Sequence, residues 1–262
     1  VNFYNDNDRA MCQWLRELIA QGHLPPGVVD ERSILELKPE DLAGFDQCHF
    51  FAGIGGWPLA LRWAGLEGVA GIWTGSCPCQ PLSCAGKRQG HADERHLWPA
   101  FYRLISECRP ATVFGEQVAS ADGREWFAGV RLDLEGLGYA VGGADLCAAG
   151  VGAPHRRQRL FWVAMDDSRS KDVQGLVIKG RDIRCKPSET QPVYDLSGVQ
   201  PWIQDRTNTL AVDAIDGLSR PVGIVRGYGN AIVPQVAAVF VRAWMECRAE
   251  YLTTVPRAGQ EA

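Results

Sequence analysis

The sequence predicts an α/β fold, a mostly parallel sheet covered by helices on both faces with a small polar insert. Three observations predict it. Short apolar runs alternate with helical patterns through the first 166 residues. One run passes directly into a glycine-rich turn that opens a helix, a junction suited to a nucleotide-like ligand. From 167 to 220 polar residues dominate and periodicity is weak.

The elements follow in order. Residues 10–20 place Trp14, Leu15, Leu18 and Ile19 on one side of a helix, which Gly22 and the run Pro25-Pro26-Gly27 end. Residues 34–42 read as a short helix. Cys48-His49-Phe50-Phe51 reads as a buried strand running into Ala52-Gly53-Ile54-Gly55-Gly56, with a helix at 57–65. A strand at 71–75, an amphipathic helix at 97–108 and a short buried strand at Thr112-Val113-Phe114 come next. Residues 125–137 read as helix, and 139–146 and 159–164 as strands. A last helix is expected at 229–246, with Pro234 in its first turn, where a missing N–H is harmless.

Composition narrows the function classes. With 46% hydrophobic and 22% charged residues, the chain has the ordinary mix of a globular protein. No apolar run approaches the ~20 residues that span a bilayer, and the N-terminus lacks the basic-then-apolar order of a leader, so no membrane partner and a cytoplasmic location are expected. The nine cysteines are irregularly spaced and include no C-x-x-C pair, which argues for reduced, mostly buried thiols and no metal site. The net charge of -4 argues mildly against nucleic acid. Its distribution argues otherwise, because Lys87, Arg88, Arg95, Arg156, Arg157 and Arg159 fall in two short segments while acids gather at 30–46.

Four segments carry candidate chemistry. The glycines of Phe51-Ala52-Gly53-Ile54-Gly55-Gly56 let a ligand approach the backbone, although such turns are often only tight turns. In Gly75-Ser76-Cys77-Pro78-Cys79-Gln80-Pro81-Leu82-Ser83-Cys84, Cys79 follows a proline past a buried strand and precedes a basic, glycine-containing loop. It is placed to react if its thiol is lowered from ~8.5, against the alternative of a packed structural cysteine. Glu116, in Gly115-Glu116-Gln117-Val118, is either an acid at the ligand-binding end of the sheet or a solvated strand end. His155-Arg156-Arg157-Gln158-Arg159 is either a site for anions and carbonyl oxygens or an exposed basic turn.

In order and spacing these segments resemble the cytosine-5 DNA methyltransferase family. FAGIGG resembles its cofactor loop, SCPCQPLSCAG its P-C-Q nucleophile motif, GEQV its E-N-V motif and HRRQR its Q-x-R-x-R motif. Arg226-Gly227-Tyr228-Gly229-Asn230-Ala231 resembles its G-N-[SA] motif. His49, Leu82, Gln117 and His155 depart from the usual Asp, Phe, Asn and Gln. The resemblance implies a Rossmann-like, S-adenosylmethionine-dependent methyltransferase sheet acting on double-stranded DNA. It implies Cys79 as nucleophile, Glu116 at cytosine N3, Arg159 at O2 with Arg157 beside it or on a phosphate. Phe51 to Gly56, Asn230 and Ala231 would contact the cofactor, and Gln80, Ser83, Lys87, Arg88 and Arg156 the DNA.

One spacing is anomalous. Residues 57–78 are too few to hold the two strands the family places between its glycine loop and its P-C-Q motif. The N-terminus resembles that missing piece. Phe3-Tyr4-Asn5-Asp6-Asn7-Asp8 is similar to the family's strand ending in N-E-x-D, and Ser33-Ile34-Leu35-Glu36-Leu37 to its D-I segment. The resemblance therefore implies a circular permutation, with the second and third strands N-terminal. Asp6 would take the cofactor ribose hydroxyls, Asn7 stands where a stacking aromatic is expected, which implies modest cofactor affinity, and Ser33 and the Ile34 backbone would meet the adenine, with Asp30 a nearby substitute. The helix after the glycine loop must then either change face or break the right-handed crossover rule, which holds in ~98% of cases.

The expected organisation is a catalytic and cofactor-binding domain at 1–166, with 1–46 the permuted segment, a target-recognition region at 167–220, and a C-terminal return at 221–262. The expected reaction is methyl transfer to C5 of a cytosine flipped out of the duplex. Methylation of RNA cytosine, or a catalytically silent DNA- or cofactor-binding protein, are the rivals.

Overall fold

The structure, a computed structural model, describes residues 1–78, 97–153, 156–166 and 231–254, with side chains of the last stretch through Arg248. The strands are β1 (Asn2–Asn5), β2 (Gly27–Asp30), β3 (Gln47–Phe50), β4 (Ile72–Gly75), β5 (Thr112–Val118), β6 (Tyr139–Cys147) and β7 (Gln158–Asp166). The helices are α1 (Arg9–Ala20), α2 (Gly56–Trp63), α3 (Trp98–Cys108), α4 (Ala121–Gly136) and α5 (Pro234–Thr254). The strands form one sheet in the order β2-β1-β3-β4-β5-β7-β6. The first five are parallel, and β7 runs antiparallel to both β5 and β6. This is the mixed sheet of a Rossmann-like methyltransferase fold.

Local chemistry explains the element ends. Asp8 caps α1 by accepting from Ala10 N (2.9 Å) and Met11 N (3.4 Å). Ser120 caps α4 by accepting from Gly123 N at 3.0 Å, which starts that helix earlier than its apolar pattern suggests. α5 begins at Pro234, not at 229 as expected, because proline suits a first turn and not an interior. The helix expected at 34–42 is instead a turn followed by a 3-10 helix, Pro39–Leu42. Pro39 holds Lys38 extended (φ -121°, ψ 159°), which breaks a continuous helix.

Side chains alternate between the two faces of each strand. The row Phe3, Cys48, Trp73, Val113, Ala164 runs across the register and belongs to a core closed by α3, α4 and the Ile34–Leu42 turn. The row Tyr4, His49, Thr74, Phe114, Val163 faces the other way, toward α1, α2 and α5. That second row is partly polar. His49, fully buried, accepts from Asn2 Nδ2 at Nε2 (3.3 Å), which leaves Nδ1–H to donate to Thr74 Oγ1 (2.9 Å). Burial drives the imidazole down to about 3, so it is neutral at ordinary pH.

These faces fix the hand of each crossover. α1 leads from β1 outward to β2, whereas α2 and α3 step the opposite way, from β3 to β4 and from β4 to β5. α1 and α2 share a face, with Leu59 of α2 packed against the cluster of Tyr4, Leu15 and Leu24, and α3 lies on the other. Helices stepping oppositely on one face have opposite hands, as do helices stepping alike on opposite faces. So β1–α1–β2 and β4–α3–β5 share one hand, and β3–α2–β4 has the other. The helix after the glycine loop keeps its face, and its connection is the exception. Among the described residues no helix is long and apolar enough to cross a membrane.

Candidate active site

Among the described residues, the candidates lie at the carboxyl ends of the parallel strands, where such sheets bind ligands. β3 ends at Phe50, and Phe51 takes φ 51°, a left-handed conformation uncommon for a side chain of its size. Gly53 (φ 53°) and Gly55 (φ 79°) continue the turn into α2. The glycines differ in their surroundings. A Cβ on Gly53 would meet nothing within 4 Å, whereas one on Gly55 would lie 2.4 Å from Leu24 Cδ1 and one on Gly56 2.7 Å from Ile232 Cγ1. Gly53 therefore leaves open space, and Gly55 and Gly56 let two chain-distant segments close on the loop. Ala231 immediately precedes that Ile232 contact.

Asp6 follows β1, the neighbour of β3, and reaches this loop. Its Oδ2 accepts from Gly53 N at 2.8 Å and its Oδ1 from Asp8 N at 2.9 Å. Burial pushes the carboxyl above its ordinary value, opposed by the backbone N–H groups of Asp8 and Gly53. A carboxylate with acceptor capacity left, beside a glycine turn with open space, fits the ribose end of S-adenosylmethionine. Asn7 is exposed beside it. Ser33 is engaged locally, its Oγ accepting from Leu35 N (3.4 Å) and its N–H donating to Glu36 Oε2 (3.1 Å). The Ile34 side chain is in the core, which leaves only its backbone for a ligand. Asp30 ends β2 with its carboxylate taken by Arg32, at 2.6 Å from Nη2.

A second cluster forms where β4, β5 and β7 end. Glu116, almost fully buried, pairs with Arg159 across the β5–β7 ladder, Nε to Oε1 at 2.8 Å. Burial pushes the Glu116 carboxyl upward. Arg159, Arg157 and the Ser76 hydroxyl pull it back without cancelling the rise. The result is a carboxyl that holds a proton more readily than a solvated glutamate. Trp57, one residue into α2, donates its indole N–H to Ser76 Oγ at 3.0 Å. Gln117 faces the opposite way and donates to Cys77 O at 3.2 Å, tying β5 to the turn that leads into Cys79. Gly115 lacks a side chain because the Trp162 ring lies across it; a Cβ there would sit 2.2 Å from Cε2 and Cζ2.

Arg157 takes φ 33° and donates from Nη2 to Ala231 O at 2.6 Å, clasping the start of β7 to the segment before α5. Arg156 is exposed, and its carbonyl accepts from Ala148 N and Cys147 Sγ, both at 2.8 Å. The structure thus brings Glu116, Arg159 and Arg157 together at one place, and Asp6 and Phe51 to Gly56 at another. Cys79, Gln80, Ser83, Lys87, Arg88, Asn230 and the region 167–220 lie outside the described residues. Trp57 and Ser76 were missed by sequence reasoning; their only signal is adjacency to the two motifs they join. Among the described residues no cluster of His, Cys, Asp and Glu could hold a metal ion.

Known proteins resemble this chain. The family model for C-5 cytosine-specific DNA methylase matches residues 70–214, more than half of the chain. The type II methyltransferase M.HhaI of Haemophilus parahaemolyticus is 27% identical over 169 residues, covering 50% of this chain and 52% of that protein. M.AgeI of Thalassovita gelatinovora, another type II methyltransferase, is 29% identical over 164 residues, covering 61% of this chain and 37% of that protein. Among solved structures, the S. pombe Dnmt2 methyltransferase aligns with TM-score 0.48 at 12% identity, over 95% of this chain and 99% of that one. The chain spans about half the length of M.HhaI and less of M.AgeI.

Proposed function

Because the chain belongs to the C-5 cytosine-specific DNA methylase family, we propose that it methylates C5 of a cytosine in double-stranded DNA through an adduct on Cys79. The observation that carries this reading is the buried Glu116–Arg159 pair beside the Ser76–Pro78 turn that leads into Cys79. A cytosine entering there would meet an acid and a cation, at the point from which the chain runs on to Cys79. Cytosine C5 is a poor nucleophile. Addition of the Cys79 thiolate to C6 breaks the C5–C6 double bond and pushes the electron pair toward N3. Glu116 supplies or shares a proton at N3, and Arg159 holds the O2 oxygen, as its donors suit a carbonyl. C5 is then enamine-like and nucleophilic. S-adenosylmethionine, when bound, supplies an electrophilic methyl group. Loss of the C5 proton expels the thiolate and restores the ring. The base must leave the stack to reach these groups, so base flipping is part of the reading.

Asp6, Phe51 and the backbone from Ala52 to Gly56 would hold the cofactor, with Ala231 at the far side of the loop. The first 46 residues act, in this reading, as the permuted second and third strands of the family. Two observations support that arrangement. β1 and β2 lie outside β3 in the sheet, with Asp6 on the Gly53 N–H. And α2 keeps the face it would occupy if it led to β1, although the chain goes on to β4. The reversed hand of that connection has a simple origin if strand order was conserved while chain order changed.

The test is transfer of a tritiated methyl group to DNA and to matched RNA duplexes. Incorporation into DNA that disappears in Cys79→Ser is expected. Incorporation into RNA alone, or none into either, would contradict the proposal.

A further inference from the structure

We propose that Trp57 and Ser76 are positioning residues for Glu116, forming a hydrogen-bonded line from the first turn after the glycine loop to the acid. This deepens the proposed function and rests on the reading of Glu116 as the N3 partner. The line is directional. An indole N–H can only donate, so Ser76 Oγ must accept from Trp57, at 3.0 Å. The hydroxyl hydrogen is then left for the Glu116 carboxyl, which the register sets beside it: Gly75 pairs with Gly115, and Ser76 and Glu116 follow them on one face. All three groups lie on the α2 face of the sheet, since Ser76 continues the alternation of Thr74 and Glu116 that of Phe114.

Trp57 is well placed to act as the fixed end. It is 4% exposed, and its ring stacks on Phe114 and meets Phe161 edge-on, both at 6.0 Å between centroids. Its N–H therefore has little freedom. Arg159 and Arg157 are the charged groups facing Glu116 among the described residues, from β7 and the turn before it. Arg159 holds one carboxyl oxygen, Oε1, at 2.8 Å, and the proposed line orients the other. Ser76 supplies that orientation, and it ties the acid to the helix that carries Gly56. Removing the hydroxyl should leave the ion pair standing while the carboxyl holds its proton more tightly.

The experiment follows the Glu116 carboxyl directly in the full chain. Protein labelled with 13C at glutamate carboxyls is titrated by NMR, and the Glu116 resonance is the one lost in Glu116→Gln. In Ser76→Ala the acid dissociation constant should fall by about tenfold, as expected when a charged group loses a donor. Ser76→Thr keeps the hydroxyl and should restore the wild-type titration. Trp57→Phe keeps the ring packing without the N–H and should move the titration part of the way. The alkaline limb of the methyl-transfer rate should move upward in pH alongside it. An unmoved titration in Ser76→Ala overturns the proposal, even if Glu116→Gln has lost its rate. A moved titration beside a fully active Glu116→Gln supports the line and overturns only the N3 role.

Discussion

Replacing Asp6 by alanine separates cofactor binding from folding. Its carboxylate accepts from Gly53 N (2.8 Å) and Asp8 N (2.9 Å), and in the proposed complex from the ribose hydroxyls as well. A lost hydrogen bond to a charged group costs ~1.5–3 kcal/mol, so S-adenosylmethionine affinity should drop by about tenfold to a hundredfold. Stability should change far less. The two orphaned N–H groups lie near solvent, and burial already disfavours the charged carboxylate, so its removal relieves part of what it costs. We expect about 1 kcal/mol or less. Asp8→Ala is the contrasting control. Asp8 caps α1 through Ala10 and Met11 N–H, so its loss should cost ~1 kcal/mol of stability and leave cofactor affinity intact. Calorimetric titration with S-adenosylmethionine, paired with thermal melts, reads both quantities. Unchanged affinity in a folded Asp6→Ala, or an equal loss in Asp8→Ala, would refute the reasoning.

Other perturbations follow from the same geometry. Glu116→Gln should retain DNA binding by gel shift while single-turnover methyl transfer falls by ~10²-fold, the effect of a lost general acid. His49 is neutral when buried, down to about 3, whereas the unfolded chain protonates it near its ordinary value. Its contribution to stability is therefore present above ~6.5 and lost as pH falls toward 3, at up to ~1.4 kcal/mol per pH unit. Urea midpoints at neutral pH and at pH ~5 should show that loss, and His49→Gln should flatten it. Gly115→Ala drives a Cβ into the buried Trp162 ring and should cost ~3 kcal/mol in chemical unfolding, the upper end for overpacking.

Much of this was legible in the sequence, and the misses have physical reasons. The glycine turn, Glu116 and Arg159 announce themselves because each sits beside a buried strand in a fixed order. β2 carries no such signal. Its four residues, Gly27–Asp30, lie at the sheet edge and are mostly half-exposed, so neither an apolar run nor a clean alternation appears. The break at Pro39 is readable from proline itself, which holds Lys38 extended and so divides 34–42. His49 could be seen as a departure from its family, but not its partner Asn2, which lies 47 residues away. Trp57 and Ser76 meet only because α2 lies on the same face as the end of β4. The sequence also posed the choice for α2, between changing face and reversing hand, and packing decides it. Its apolar residues Trp57, Ala60 and Leu61 match the Phe114 and Phe161 side of the sheet.

The central claim is that this chain forms a covalent adduct with cytosine through Cys79. Fluorine at C5 cannot leave as a proton does, so DNA carrying 5-fluorocytosine should halt the reaction after methyl transfer. Incubating the protein with such DNA and S-adenosylmethionine, then mapping the cross-linked peptide by mass spectrometry, tests the claim most directly. The account predicts a denaturation-resistant complex with the nucleotide on Cys79, absent in Cys79→Ser. A cross-link on Cys77 or Cys84, or methylated DNA with no trapped complex, would contradict it.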